Sequence, residues 1–92
     1  YDEIFVIEAD DDYVVVRTQQ GAFAKKRTLS YFERSLPADR FIRVHRGYLV
    51  NLNHIARIEQ RESQAYSLIL SSGQEVPVSR TGMQLLRPLL QK

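Results

Sequence analysis

The chain has 92 residues, with 13 lysines and arginines, 11 aspartates and glutamates, and no cysteine. That length predicts one small domain over residues 1–92, and the absence of cysteine excludes a disulfide scaffold and a cysteine-ligated metal site. Apolar runs reach only four residues, against the roughly 20 that a membrane helix needs, so we expect no membrane segment. Small domains without disulfides are typical of reducing compartments, so we expect a cytoplasmic protein.

Charge is unevenly distributed along the chain. Residues 1–12 hold six acids and no base, whereas the remaining 80 residues hold five acids and all 13 bases. Ten of the bases are arginines, whose planar group forks onto phosphates and guanine edges. This distribution favours a polyanionic partner, with a merely solvated basic surface as the alternative.

Apolar or alternating segments predict a series of short strands. Residues 4–8 and 13–18 form the first two, separated by aspartates at residues 10–12 that favour a turn. Residues 22–26 follow a turn at residues 19–21 and are predicted to return as a hairpin partner. Four more strands are predicted over residues 41–44, 55–59, 66–70 and 75–79.

Strict alternation assigns faces to the side chains of the later strands. It places Arg43 on the side of His45 and away from Arg46, and it places Ile55 on the side of Arg57.

Two other local signals constrain this half of the chain. Residues 45–53 have no clean period and contain two asparagines, which predicts turns. Residues 71–74 have the composition of a hairpin turn. Pro77 lies inside the strand that follows, so this strand is predicted to lie at a sheet edge or to carry a bulge.

A short helix is predicted over residues 28–36. Its apolar side chains recur at helical spacing, and Pro37 ends it. Ser30 with Glu33 three residues later fits a capping box, and Thr28 is an alternative N-cap.

The C-terminal tail predicts a second brief helix. Met83, Leu86 and Leu90 have helical spacing over one or two turns, with Pro88 as an obstacle. Six or seven strands that mostly follow one another, with one or two short helices, predict a mainly β fold of small antiparallel sheets.

Catalytic and metal signatures are missing from the sequence. The aspartates at residues 10–12 lack the spacing, the central glycine and the distal glutamate of a calcium loop. His45 and His54 are nine residues apart with no metal-binding frame around them, and no nucleophile elbow or phosphate-binding loop occurs. We therefore predict that the protein is not an enzyme and uses neither a metal nor a cofactor.

Arg57 and Arg61 form an RxxxR pair that keeps a second function open. The pair resembles half of the PilZ signature, so a β-barrel-like module that senses a cyclic dinucleotide through these two arginines is the alternative hypothesis. The other half of that signature is absent. A third hypothesis is a protein-interaction domain with an exposed sheet edge near Pro77.

Four motifs in order carry a more specific resemblance. Residues 41–55 read F-I-R-V-H-R-G-Y-L-V-N-L-N-H-I, which resembles the F-x-R-x-H-R-S-Y-L-V-N-x-x-x-I core of the LytTR family of DNA-binding domains. The I-E-A-D-D-D-Y-V run at residues 7–14, the T-L start at residue 28 and the G-Q-E-V-P-V-S-R run at residues 73–80 are similar to its flanking motifs. The chain departs from the family at Gly47, where serine is usual, and at Thr81-Gly82.

The resemblance implies both a fold and a function. Family members have an elongated β-β-β arrangement of small antiparallel sheets, and they read successive major grooves of double-stranded DNA through loops at strand ends. We therefore expect a sequence-specific DNA-binding output domain of a bacterial transcription regulator in a two-component system. The resemblance further implies an upstream receiver or sensor domain in a longer regulator from which this chain is excised, and a homodimer on direct repeats of DNA.

The resemblance assigns the loop between the first two strands to base reading. Phosphate repels an acidic side chain, so Asp11 and Asp12 are expected to contact bases instead, accepting a hydrogen bond from cytosine N4. Tyr13 belongs to the same loop. The alternatives are a solvated acidic turn for each aspartate and a place in the core for Tyr13.

Two further reading positions come from the later motifs. Arg46 is expected to clamp a phosphate and so set the register. Ser79, Arg80 and Thr81 are expected to form a second reading loop, with Arg80 forked onto guanine.

The remaining candidate residues have supporting roles. Lys25 and Lys26, followed by Arg27, are expected to add nonspecific attraction to DNA. His45 and Asn51 are expected to hydrogen-bond the irregular backbone around them rather than to read bases.

Overall fold

The computed structural model describes residues 2–62 and 65–90. These residues form eight strands and two α-helices, which confirms the mainly β fold and exceeds the predicted strand count. The elements are β1 (Ile4–Asp10), β2 (Tyr13–Thr18), β3 (Gly21–Lys25), α1 (Leu29–Ser35), β4 (Phe41–His45), β5 (Tyr48–Asn51), a 3-10 turn (Leu52–His54), β6 (Ile55–Gln60), β7 (Tyr66–Leu70), β8 (Glu75–Val78) and α2 (Arg80–Leu90).

The strands form two antiparallel sheets. The larger has the order β3-β2-β1-β5-β4, and the smaller has the order β6-β7-β8. Pro77 lies on β8, an edge strand of the smaller sheet, as its lack of an N–H group requires. The molecule measures 34 Å along its longest axis and 24 and 23 Å along the others.

Two apolar cores lie on opposite faces of the larger sheet. One packs Val44 and Val50 of that sheet against the smaller sheet and α2, and the other packs Leu49 against α1. Because neighbouring residues of β5 enter different cores, Leu49, Val50 and Asn51 are all buried. The strand therefore shows no period, so the prediction of turns in residues 45–53 missed β5, although turns lie on both sides of it, at residues 46–47 and Leu52–His54.

Register shifts overturn the predicted faces of β4 and β6. In β4 the shift falls between Arg43 and His45, so these residues point to opposite sides of the sheet. In β6 it falls between Ile55 and Arg57, and Ile55 joins Ile58 in packing against the first core. A bulge adds one residue without a sequence signal that alternation can detect.

Both helices differ in detail from the prediction. Thr28, not Ser30, is the N-cap of α1, and its hydroxyl accepts a hydrogen bond from the Tyr31 N–H at 3.0 Å. The second helix runs for 11 residues, longer than the one or two turns predicted. Pro88 lies in its last turn, where a missing N–H removes a single hydrogen bond and the helix continues.

Candidate nucleic-acid interface

Three chain segments meet at one end of the larger sheet. They are the β1–β2 turn, the β4–β5 turn and the N-terminus of α2. The Ala9 N–H donates to the Gly47 carbonyl at 2.9 Å and joins the first two segments, and the Ser79 N–H donates to the Val44 carbonyl at 2.8 Å and joins the third. We call this surface the turn face.

Two shallow grooves cross the turn face and meet at Arg43, which lines both. Groove A lies between the β1–β2 turn and the start of α1, and it is lined by Ala9, Asp11, Asp12, Tyr13, Val14, Arg27, Thr28, Leu29, Ser30 and Arg43. Groove B lies between the β4–β5 turn and α2, and it is lined by Glu33, Arg43, His45, Arg46, Ser79, Thr81 and Leu85. The structure thus brings the three predicted reading segments together. Arg80, however, lines a different cavity, together with Tyr66 of the smaller sheet and Arg87 of α2.

The β1–β2 turn projects all three of its candidate side chains. Asp10 pairs with Tyr13 across the strands, which leaves Asp11 and Asp12 as a two-residue turn. Asp11 has a φ of 57°, a conformation that aspartate tolerates better than most residues. Tyr13 is 47% exposed, so the alternative that placed it in the core is wrong.

The β4–β5 turn exposes Arg46. Its guanidinium has no hydrogen bond or ion pair within residues 2–62 and 65–90. The backbone beneath it is held from two sides, because the Gly47 N–H donates to His45 Nδ1 at 3.1 Å and Arg43 Nη2 donates to the Arg46 carbonyl at 2.5 Å. His45 therefore supports the turn through its ring, as a scaffolding residue would.

The other scaffolding candidate, Asn51, ties three segments of backbone together. Its Nδ2 donates to the Ile4 carbonyl at 2.8 Å, and its Oδ1 accepts from the Asn53 N–H at 3.0 Å. The side chain is almost wholly buried. It caps the 3-10 turn and fastens it to the first strand.

The third segment is a helix start and not the loop that was predicted. Ser79 precedes α2, and its hydroxyl accepts from the Gly82 N–H at 3.0 Å and lies 3.2 Å from the Val44 carbonyl, to which it donates. Arg80 and Thr81 occupy the first turn of α2 and are exposed. A serine before an apolar helical pattern is a familiar N-cap signal that could have located this start.

Gly82, where the chain departs from the family motif, makes a close backbone contact. A Cβ atom at residue 82 would lie 2.0 Å from the Val44 carbonyl oxygen. The helix backbone therefore rests directly on β4, and only glycine fits. Gly47 is different, because a Cβ there would meet nothing nearer than His45 Nδ1 at 3.7 Å.

The predicted basic residues border groove A. Lys25 ends β3 opposite Val14, a groove residue, and Lys26 follows it. Arg27 lines the groove and stacks over the Tyr31 ring at 4.7 Å from its centroid. Neither lysine has an ion pair with another described residue, so both charges face solvent.

Arg43 is the site residue that sequence reasoning missed. Alternation placed it away from Arg46, but the register shift in β4 brings its guanidinium beneath the β4–β5 turn. It also pairs with Glu33 of α1 at 2.9 Å. The arginine is present in the family motif, although nothing in the sequence signals the bulge.

The alternative pair, Arg57 and Arg61, lies on the smaller sheet and is already neutralised. Both arginines contact Glu59, and Arg61 Nε also donates to Glu75 at 2.9 Å. That bond holds the pKa of Glu75 below its usual range, with a further contribution from Ser67, and it raises the pKa of Arg61. The two sheets remain open, which differs from the barrel that this hypothesis expected.

Other site types find little support in the described part of the chain. No group of three or more acidic, histidine or cysteine side chains there could hold a metal ion. No helix among the described residues is both long and apolar enough to cross a bilayer.

A β-rich domain with exposed turns, and with arginines that lack a partner in the described part of the chain, is typical of nucleic-acid-binding proteins. Comparison with known proteins agrees. Residues 1–91 match the family profile described as the LytTr DNA-binding domain. The chain therefore belongs to the LytTR family of DNA-binding domains.

Individual relatives match over nearly the whole chain. Sensory transduction protein LytT of Bacillus cereus is 37% identical over 89 residues, which are 97% of this chain and 36% of that protein. The CO-responsive transcriptional regulator RcoM of Rhodospirillum rubrum is 36% identical over 95% of this chain and 37% of its own length. The chain thus spans about a third of each of these relatives.

A solved structure matches the fold as well. A LytTr DNA-binding domain from Bacillus cereus superposes with a TM-score of 0.87 and 34% sequence identity, over 99% of this chain and 84% of the other. The similarity covers both sheets and both helices.

Proposed function

We propose that this chain is the output domain of a bacterial transcription regulator and binds double-stranded DNA in a sequence-specific way, without catalysis. The observation that carries the proposal is the turn face, where three segments converge and Arg46 and Arg80 have no partner among the described residues. Family membership supports the same ligand.

Different positions on the turn face contribute different parts of recognition. Arg46 clamps a phosphate and sets the register, since phosphate contacts position a protein on the duplex. Arg80 forks onto a guanine edge, and Asp11, Asp12 and Tyr13 read bases from the other end of the face. Lys25 and Lys26 add sequence-independent attraction.

The roles of Ser79 and Thr81 separate on geometry. The hydroxyl of Ser79 is already hydrogen-bonded in the α2 cap, so Ser79 contributes to DNA binding by orienting Arg80. Thr81 is exposed beside groove B and is free to contact DNA.

We propose an upstream receiver or sensor domain, a homodimer formed on direct repeats, and a cytoplasmic location. The relatives named as sensory transduction proteins are about three times as long as the matched segment, which supports the first of these proposals, a longer regulator.

Selection from random duplex DNA tests the proposal. The purified chain is incubated with the library, and the retained duplexes are sequenced and titrated with salt. We expect a short enriched element whose log affinity falls linearly with log salt. Retention without enrichment would leave only a basic surface and would refute sequence-specific binding.

A further inference from the structure

Arg43 occupies the junction of the two grooves, yet its charge is already matched by Glu33. We propose that Arg43 is a positioning residue, which holds the β4–β5 turn so that Arg46 meets the DNA backbone in a fixed place. This inference rests on the proposed DNA-binding function and adds a positioning residue to the same site.

The contacts of Arg43 run in two directions from one planar group. Nη1 pairs with Glu33 Oε1 at 2.9 Å and lies 3.4 Å from Ser30 Oγ, so one side of the guanidinium is tied to α1. Nη2 donates to the Arg46 carbonyl at 2.5 Å, so the other side is tied to the turn. A lysine could not make both contacts in this fixed geometry.

Burial separates Arg43 from the arginines that face solvent. Its side chain is only 25% exposed, and its Nε is buried without a hydrogen-bond partner among the described residues. A buried donor without a partner carries a desolvation cost. The bonds to Glu33 and to the Arg46 carbonyl keep the guanidinium in place despite that cost. Such a cost is expected where a side chain fixes the position of a turn.

Glu33 is an acidic residue on the surface that is proposed to bind DNA. A carboxylate beside groove B is repelled by phosphate, so electrostatics alone predicts that removing it strengthens DNA binding. If Glu33 instead anchors Arg43, and through it the turn, removing the carboxylate weakens binding. The two expectations have opposite signs.

The test uses the duplex that the wild-type chain recovers from the random library, with Arg43→Met, Glu33→Ala and Arg46→Ala variants. We expect Arg43→Met and Glu33→Ala each to weaken binding about fivefold with the salt slope unchanged, because the Arg46–phosphate contact still forms but the loosened turn must first be ordered. Arg46→Ala lowers that slope by about 1. In the Arg46→Ala background, Arg43→Met has no further effect, since both changes act through the same contact.

Glu75→Ala is the matched control, because it also removes a glutamate that pairs with an arginine, on the smaller sheet. It leaves binding unchanged or slightly stronger. Tighter binding by Glu33→Ala, or a salt slope lowered by about 1 in Arg43→Met, would overturn the positioning role.

Amide hydrogen exchange tests, without DNA, whether Arg43 holds the β4–β5 turn. Arg43→Met should speed exchange at Gly47 and Tyr48 and leave the amides of β7 protected. Unchanged exchange at the turn would overturn the inference even if DNA binding holds. Failure of the wild-type chain to enrich any duplex would refute the proposed function, and the exchange result would still decide whether Arg43 holds the turn.

Discussion

The turn face and the smaller sheet differ in which of their arginines have an acidic partner. On the smaller sheet, Arg57 and Arg61 are bound to Glu59 and Glu75. On the turn face, Arg43 is paired with Glu33, whereas Arg46 and Arg80 have no partner among the described residues. An arginine is available to a polyanion only where no acidic side chain already neutralises it. The positions of the acidic partners, not the number of bases, therefore decide which surface can attract a polyanion.

The turn face also depends on close backbone packing between α2 and β4. The arginines of the smaller sheet do not depend on such packing. The largest effect is therefore expected from Gly82→Ala. Its Cβ would lie 2.0 Å from the Val44 carbonyl oxygen, so α2 must shift away from β4, at a cost of about 3 kcal/mol. Urea unfolding measures the loss, and Gly47→Ala is the control, with little change in stability expected. Equal stability of the two variants would contradict the close approach.

The cap of α2 gives a smaller effect that separates structure from DNA contact. Ser79→Ala removes the bond from the Gly82 N–H and should lower the free energy of unfolding by about 1 kcal/mol. Thr81→Ala, at the neighbouring exposed position, should leave stability unchanged. Thermal or urea unfolding compares the two. If Ser79→Ala kept full stability but lost DNA affinity, its hydroxyl would be a contact and not a cap.

Gly47→Ser introduces the residue that the family usually has and tests the contribution of the β4–β5 turn to DNA affinity. The new side chain has room, with its Cβ 3.7 Å from His45 Nδ1. We expect stability to change by less than about 0.5 kcal/mol and affinity for the selected duplex to rise slightly, because a hydroxyl is added beside Arg46. A filter-binding titration against wild type would detect it, and a clear loss of affinity would contradict the open geometry.

The smallest effect belongs to the smaller sheet. The depressed pKa of Glu75 means that its bond to Arg61 stabilises the fold above the unfolded-state pKa and that this contribution is lost as pH falls through the lower folded-state pKa. Glu75→Gln should therefore be slightly less stable than wild type at pH 7, and the two should converge below about pH 4. Unfolding midpoints across this range test it. A difference that widened in acid would reverse the assigned sign.

Regular parts of the fold were predictable from sequence, and irregular parts were not. The alternation of β7 and the proline of β8 identified an edge hairpin correctly. Burial of Leu49 and Val50 in two different cores removed the period that would have identified β5. A strand covered on both faces loses its alternation, so composition alone cannot distinguish it from other buried segments.

The site was predictable only as a set of motif positions. Family resemblance located Arg46 and Arg80, but it placed Arg80 in a loop, whereas the Ser79 cap starts a helix there. Arg43 was assigned to the wrong side of β4 because a register shift follows it. Such shifts depend on the partner strand and are invisible to a pattern read along one strand.

The most direct test of the account is a salt titration of four single alanine variants on the selected duplex: Arg46, Arg80, Arg57 and Arg61. We expect Arg46→Ala to lower the slope of log affinity against log salt by about 1, and Arg80→Ala to reduce discrimination at one base pair by about 1–3 kcal/mol. Arg57→Ala and Arg61→Ala should leave slope and discrimination unchanged. Losses at Arg57 or Arg61 equal to those at Arg46 and Arg80 would contradict the assignment of DNA binding to the turn face.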